Sequence, residues 1–171
     1  MNKDIFSWVQ LSVCLLIAGL PATAMSQVSA SVVTESRDAS SAAIGTLNFT
    51  VGRLARDCLP ILNRPETAKE FLAVWQQRNA KYLSASIKYM GKRLDEAKST
   101  GGDAGVKAVL GSYQNAISKD GGGAVQDWFS KGKKEEVCQR AISIIEAGGM
   151  DISSKMPMYD ELESLSFWAA E

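Results

Sequence analysis

Apolar residues recur at three- and four-residue steps along most of this chain, and two cysteines, Cys58 and Cys138, fall on those same stripes. A stripe with that period is one face of a helix turned toward a core, and nothing alternates over a span long enough for a sheet. The pattern predicts an all-α fold, a small bundle of four to five helices stapled by one disulfide between Cys58 and Cys138. That bridge closes a loop of about 80 residues, which the chain-entropy model values at roughly 4 to 5 kcal/mol. The figure rivals the net stability of a whole small domain.

A disulfide implies an oxidising compartment, and the start of the chain agrees. Met1-Asn2-Lys3-Asp4 precedes an apolar run from about Val9 to Leu20, followed by Pro21 and Ala22-Thr23-Ala24. This is the layout of a secretory signal, with small residues at Ala22 and Ala24 for the peptidase. The run is too short to span a hydrocarbon core of roughly 30 Å as a helix. Residues 1–24 are therefore read as a signal peptide cleaved near Ala24, leaving no stable membrane insertion and a product that is periplasmic or secreted. Cys14 leaves with the signal, so Cys58 and Cys138 remain as a pair.

Residues 25–40, rich in Ser, Ala and Thr with no strong period, read as a flexible lead-in to a helical bundle domain over 41–149. The first helix spans Ser41 to Leu59, carrying Ile44, Leu47, Val51, Leu54 and Cys58, and Pro60 and Pro65 break it. A long second helix starts at Pro65-Glu66-Thr67 and runs to Ser99, with Gly91 a possible bend. Asp103 caps a shorter third helix, ended by Asp120 and the triplet Gly121-Gly122-Gly123. A turn buries Trp128 or Phe129, and a fourth helix covers Lys134 to Ala147 with Val137, Cys138, Ala141, Ile142 and Ile145 inward. Residues 150–171 form an acidic amphipathic segment, helical from Met158, with Leu162, Leu165 and Trp168 at three-residue steps. It serves either as a docking helix that closes the bundle or as a recognition element.

Charge and composition narrow the function. The 171 residues carry 19 basic and 19 acidic side chains, which gives no general field to attract nucleic acid, and none is expected as a partner. There is no histidine, which removes the commonest general base, the Ser-His and Cys-His pairs and the usual zinc ligand sets. No metal site and no cofactor is indicated. The glycine runs lack the Gly-Lys-Ser/Thr pattern of a phosphate loop. Carboxylates at Glu66, Glu70, Asp95, Glu96, Glu135, Glu136, Asp160, Glu161 and Glu163 accompany cations at helical spacings, the signature of a solvated face more than of a hydrolase pair.

Two groups of residues stand out as candidate binding positions. Trp75, Asn79 and Tyr82 share one side of the second helix, where a polar group on an apolar face marks either a satisfied core asparagine or a pocket with an aromatic anchor. Tyr159, Asp160, Glu161 and Trp168 in the tail combine acid and aromatic groups suited to a basic cleft on another protein. The leading expectation is an exported, non-enzymatic protein-interaction module, for example an inhibitor or immunity-type protein, whose partner is another envelope protein. The alternative is a small-molecule carrier with a pocket lined by Trp75, Tyr82 and Tyr113. A carboxylate-dependent hydrolase ranks third.

Overall fold

The computed structural model describes residues 34–170. The signal peptide and its cleavage site fall outside the described residues. Five helices follow in order: α1 Glu35–Cys58, α2 Ala68–Arg78, α3 Ala80–Phe129, α4 Lys134–Glu146 and α5 Tyr159–Ala170. Among the described residues there is no strand, and the fold is the expected all-α bundle.

Helix α1 begins earlier than its apolar stripe suggested. Thr34 accepts a hydrogen bond from the Arg37 amide, and Glu35 and Asp38 lie at the positive end of the helix dipole. Residues 35–40, expected in the flexible lead-in, are therefore helical. At the other end Pro60 lacks an N–H, and the chain tightens through Leu62 N to Cys58 O and Asn63 N to Pro60 O bonds. Asn63 takes a left-handed φ of 50° there, a conformation asparagine tolerates.

The long second helix is in fact two. Thr67 and Glu70 form a reciprocal capping box that starts α2 at Ala68, and Asn79 breaks the helix with φ −106° and ψ 18°. Helix α3 then keeps helical backbone angles through Gly91 and reverses at Gly102, between the expected helix end at Ser99 and the expected start at Asp103, where φ 59° and ψ −151° lie in a region essentially restricted to glycine. Its arms, 80–101 and 103–129, run back along each other. The hydroxyls of Ser86 and Tyr113 are 3.3 Å apart, whereas a straight helix would separate them by roughly 40 Å. The second arm does not stop at Asp120 but passes through Gly121-Gly122-Gly123 to Phe129.

Packing explains that continuation. The second arm lies parallel to α1, and a Cβ at Gly121 would meet the Phe49 ring at 2.5 Å, one at Gly45 the Ile117 side chain at 2.4 Å. Glycine weakens a helix by about 1 kcal/mol relative to alanine, yet here it admits a neighbouring side chain and lets Val125 be buried beyond it. The first arm runs antiparallel to α1. Ser41 Oγ sits 2.7 Å from Ser86 Oγ and 2.9 Å from the Tyr113 hydroxyl, which donates to the Ser41 carbonyl at 2.6 Å. Helix α1 and both arms of α3 thus share one hydroxyl cluster.

Two apolar cores flank α1. One gathers Val51, Leu54, Leu59, Phe71, Trp75, Val125, Ile142 and Ile145 around the Cys58–Cys138 disulfide, whose Cα atoms are 5.0 Å apart. The other joins Ile44 to Tyr82, Ala85, Tyr89, Ile152, Leu162 and Leu165. Leu162 and Leu165 place α5 in the docking role.

Both cysteines are fully buried, so oxidised protein should show no titratable thiol until reduced and unfolded. Cys58→Ser should lower stability by roughly 2 to 5 kcal/mol in denaturant titration; free thiols in protein recovered from an oxidising compartment would refute the staple. A glycine pair tests the reversal in α3. A Cβ at Gly105 would lie 2.5 Å from the Ala97 carbonyl oxygen, while one at Gly91 meets nothing within 4 Å. Gly105→Ala should therefore destabilise by about 1 to 3 kcal/mol, and Gly91→Ala should stabilise by about 0.5 to 1 kcal/mol.

Candidate functional site

The residues singled out in the sequence go to different places. Trp75 is fully buried, its indole N–H donating to the Met150 carbonyl at 3.1 Å. Asn79 is buried at the α2–α3 joint. Its amide nitrogen donates to Trp75 O at 2.9 Å and Asp151 Oδ1 at 3.2 Å, and its oxygen accepts from the Ile152 amide at 2.8 Å. It is a satisfied core asparagine that holds the 150–152 segment against the end of α2. Arg78 adds to the latch, reaching Asp151 at 2.8 and 3.1 Å and the Ile145 carbonyl at 2.6 Å.

Tyr82 turns toward α5 rather than into a pocket, and its hydroxyl donates to Glu163. Tyr159 donates to the same carboxylate at 2.8 Å, and Lys81 Nζ stands 2.7 and 2.8 Å from its two oxygens. The hydrogen bonds from Lys81, then Tyr82 and Tyr159, hold the Glu163 carboxyl at about 2. Burial, reinforced by Glu163, pushes the Tyr82 hydroxyl well above the ordinary phenol range. Trp168 packs edge-on against Tyr89 with ring centroids 5.9 Å apart, and the Arg37 and Lys88 cations lie 5.1 and 5.6 Å from its centroid. Its indole is committed within the bundle. Asp160 and Glu161 remain exposed, as does Phe167 at 69% exposure. The acid-aromatic tail patch is thereby divided, its Tyr159 and Trp168 turned to internal partners and its acids to solvent.

The three-aromatic carrier pocket does not assemble either. Trp75 floors one cavity, Tyr113 lines another, and Tyr82 is bonded to α5. The first cavity is a cleft of about 230 Å³ between α2 and α4. Phe71, Trp75 and Ile145 form its buried floor, Val74 projects on its wall at 55% exposure, and Glu66, Glu70, Glu146 and Arg78 surround it. A bond from its own backbone amide, with help from Arg64, keeps Glu66 below the usual carboxylate range; the Thr67 amide and hydroxyl do the same for Glu70. Neither is raised as a general acid would be.

The second cavity is a groove of about 600 Å³ between α1 and α3. Ile44, Leu83, Ile87, Met90 and Leu94 line it with Asn48, Gln76, Ser86 and Tyr113, and no side chain in the lining is charged. Gln76 donates to Asn48 at 2.8 Å, and Ile87 stands 73% exposed. Val74 and Ile87 were missed in the sequence because each lies off the main apolar stripe of its helix, which was itself the available signal. Among the described residues no cluster of three or more His, Cys, Asp or Glu side chains could hold a metal ion, and no helix is long and apolar enough to cross a membrane. Comparison with family models, with curated proteins and with solved structures found no match.

The Glu163 cluster gives the fold a defined acid response. A carboxyl lowered from 4.5 to about 2 adds stability that is present above pH 4.5 and is lost as pH falls toward 2. Glu163→Gln should flatten stability between those limits in denaturant titrations at stepped pH; an unchanged acid limb would show that other carboxylates set it.

Proposed function

We propose that this protein is an exported, non-enzymatic protein-interaction module acting on another envelope protein, in the periplasm or after release. The observation that carries this reading is the α2/α4 cleft. Its volume of about 230 Å³ falls below the roughly 300 to 1,000 Å³ of sites that enclose a small molecule, and suits one or two side chains of a protein partner. A half-exposed valine beside a rigid aromatic floor is the arrangement of an anchor socket, where a few well-packed residues supply most of the binding energy. The floor is braced by the Trp75 bond to Met150 and by the disulfide that ties α4 to α1, so little order has to be gained on binding. An inhibitor or immunity-type protein belongs to this class by analogy of size and export alone.

A second reading, a small-molecule carrier, is favoured by the α1/α3 groove, whose volume of about 600 Å³ and uncharged lining with a few polar groups fit a neutral ligand. The two readings make opposite demands on two surface residues. A photo-crosslinking residue in place of Val74, in protein exported by its own cell, should trap one envelope protein stoichiometrically, while the same residue in place of Ile87 should not. No adduct from the Val74 position, together with a thermal shift from a neutral amphiphile abolished by Ile87→Asp, would favour the carrier instead.

A further inference from the structure

We infer that the α2/α4 cleft receives a basic amphipathic segment of its partner, with an apolar side chain against Phe71 and Val74, over the buried Trp75 and Ile145, and lysine or arginine side chains against the carboxylate rim. The inference rests on reading the protein as an interaction module and names the partner's chemistry at that same cleft. Three carboxylates, Glu66, Glu70 and Glu146, line the mouth against Arg78, and behind them Asp151 pairs with Arg78 and Arg64 with Glu66 and Glu146. Both cations are already engaged. Arg64 Nη2 lies 2.7 Å from Glu66 and 2.6 Å from Glu146, and Arg78 is held by Asp151 and the Ile145 carbonyl.

The rim therefore holds a local excess of negative charge in a chain whose 19 acidic and 19 basic side chains balance overall. Both bonds that Glu70 accepts from Thr67 go to Oε2, which leaves Oε1 for an incoming cation. The floor and Val74 meanwhile supply apolar contact at the centre of the ring. An apolar centre within a charged rim divides the work: the anchor supplies affinity, and the rim sets the sign of the partner and speeds encounter. An acidic segment or a phosphate backbone would meet repulsion at the same rim. Exposed rim charges are screened within a Debye length of about 8 Å at physiological salt, so binding should weaken as salt rises.

The test uses the oxidised full-length protein and two synthetic helical peptides, one of leucine, phenylalanine and lysine and the other with glutamate in every lysine position, titrated by calorimetry at low and high salt. The lysine peptide should bind, weaken with salt, and lose at least about tenfold in affinity to Val74→Lys protein of unchanged helicity and disulfide content, a change of about 1.4 kcal/mol. Equal or tighter binding of the glutamate peptide, or lysine-peptide binding indifferent to Val74→Lys, would overturn the inference. Mapping the segment trapped by the photo-crosslinker at position 74 keeps the two claims apart. A trapped segment without lysine or arginine beside its apolar anchor refutes the basic partner while the interaction module stands; the absence of any trapped protein removes both.

Discussion

All of the other helices pack on α1, and the structure follows from the need to bury that one helix on several sides at once. Its flanks face two separate apolar cores, with Ile44 in one and Val51, Leu54 and Cys58 in the other. A helix so enclosed cannot leave its polar groups to water. Thr50 returns its hydroxyl to the Thr46 carbonyl at 2.8 Å, and Ser41 joins Ser86 and Tyr113. Ser40 is buried with its hydroxyl unpartnered, the one site on α1 where enclosure is not matched by a hydrogen bond. Close approach of α3 depends on Gly45 and Gly121, whose missing side chains make room for Ile117 and Phe49.

From that centre the two ends of the bundle are closed differently. At one end the disulfide ties α1 to α4, and the latch of Trp75, Arg78 and Asn79 ties α2 to the 150–152 segment. These ties shape the α2/α4 cleft, so the same contacts that stabilise the fold hold the proposed socket open. At the other end α5 covers Tyr82 and Tyr89, with Glu163 receiving Lys81, Tyr82 and Tyr159. Tyr159, Glu163 and Trp168 are spent on this closure, and the weight of the functional reading moves from the tail to the cleft.

What was legible in the sequence depended on how local its cause was. The fourth helix was found nearly to the residue, because one strong stripe, an acidic first turn and a glycine stop all agree within thirteen residues. The docking of α5 was one of two readings of the spacing of Leu162 and Leu165. The break at Asn79 escaped because asparagine in a helix costs only a few tenths of a kcal/mol relative to its neighbours, and the decisive bonds come from Asp151 and Ile152, over seventy residues away. The Thr67-Glu70 capping box was visible in principle, but Pro65 drew the helix start toward itself. Of the cleft, Trp75 alone was read as a binding position, while Glu66, Glu70 and Ile145 were read as solvated acids and core; Val74 on a polar face of α2 looks like an isolated exposed residue until α4 is set beside it.

The sequence by itself determined the helical class and the exclusion of histidine chemistry. Each follows from periodicity or absence, which no partner in space can alter. The break at Gly102 falls where the sequence ended one helix at Ser99 and began the next at Asp103; only the tertiary structure decided that the two arms fold back along each other, that the second runs through three successive glycines, and which surface is hollow. The sequence marked Gly102 and Gly121 alike as helix stops and Gly91 as a bend, and of the three only Gly102 leaves the helical conformation. The difference lies in what each meets: Phe49 against Gly121, open space at Gly91, and an arm folding back at Gly102 so that Gly105 rests on Ala97. A glycine removes a steric barrier in every direction, and only the neighbours brought up by folding select which direction is used.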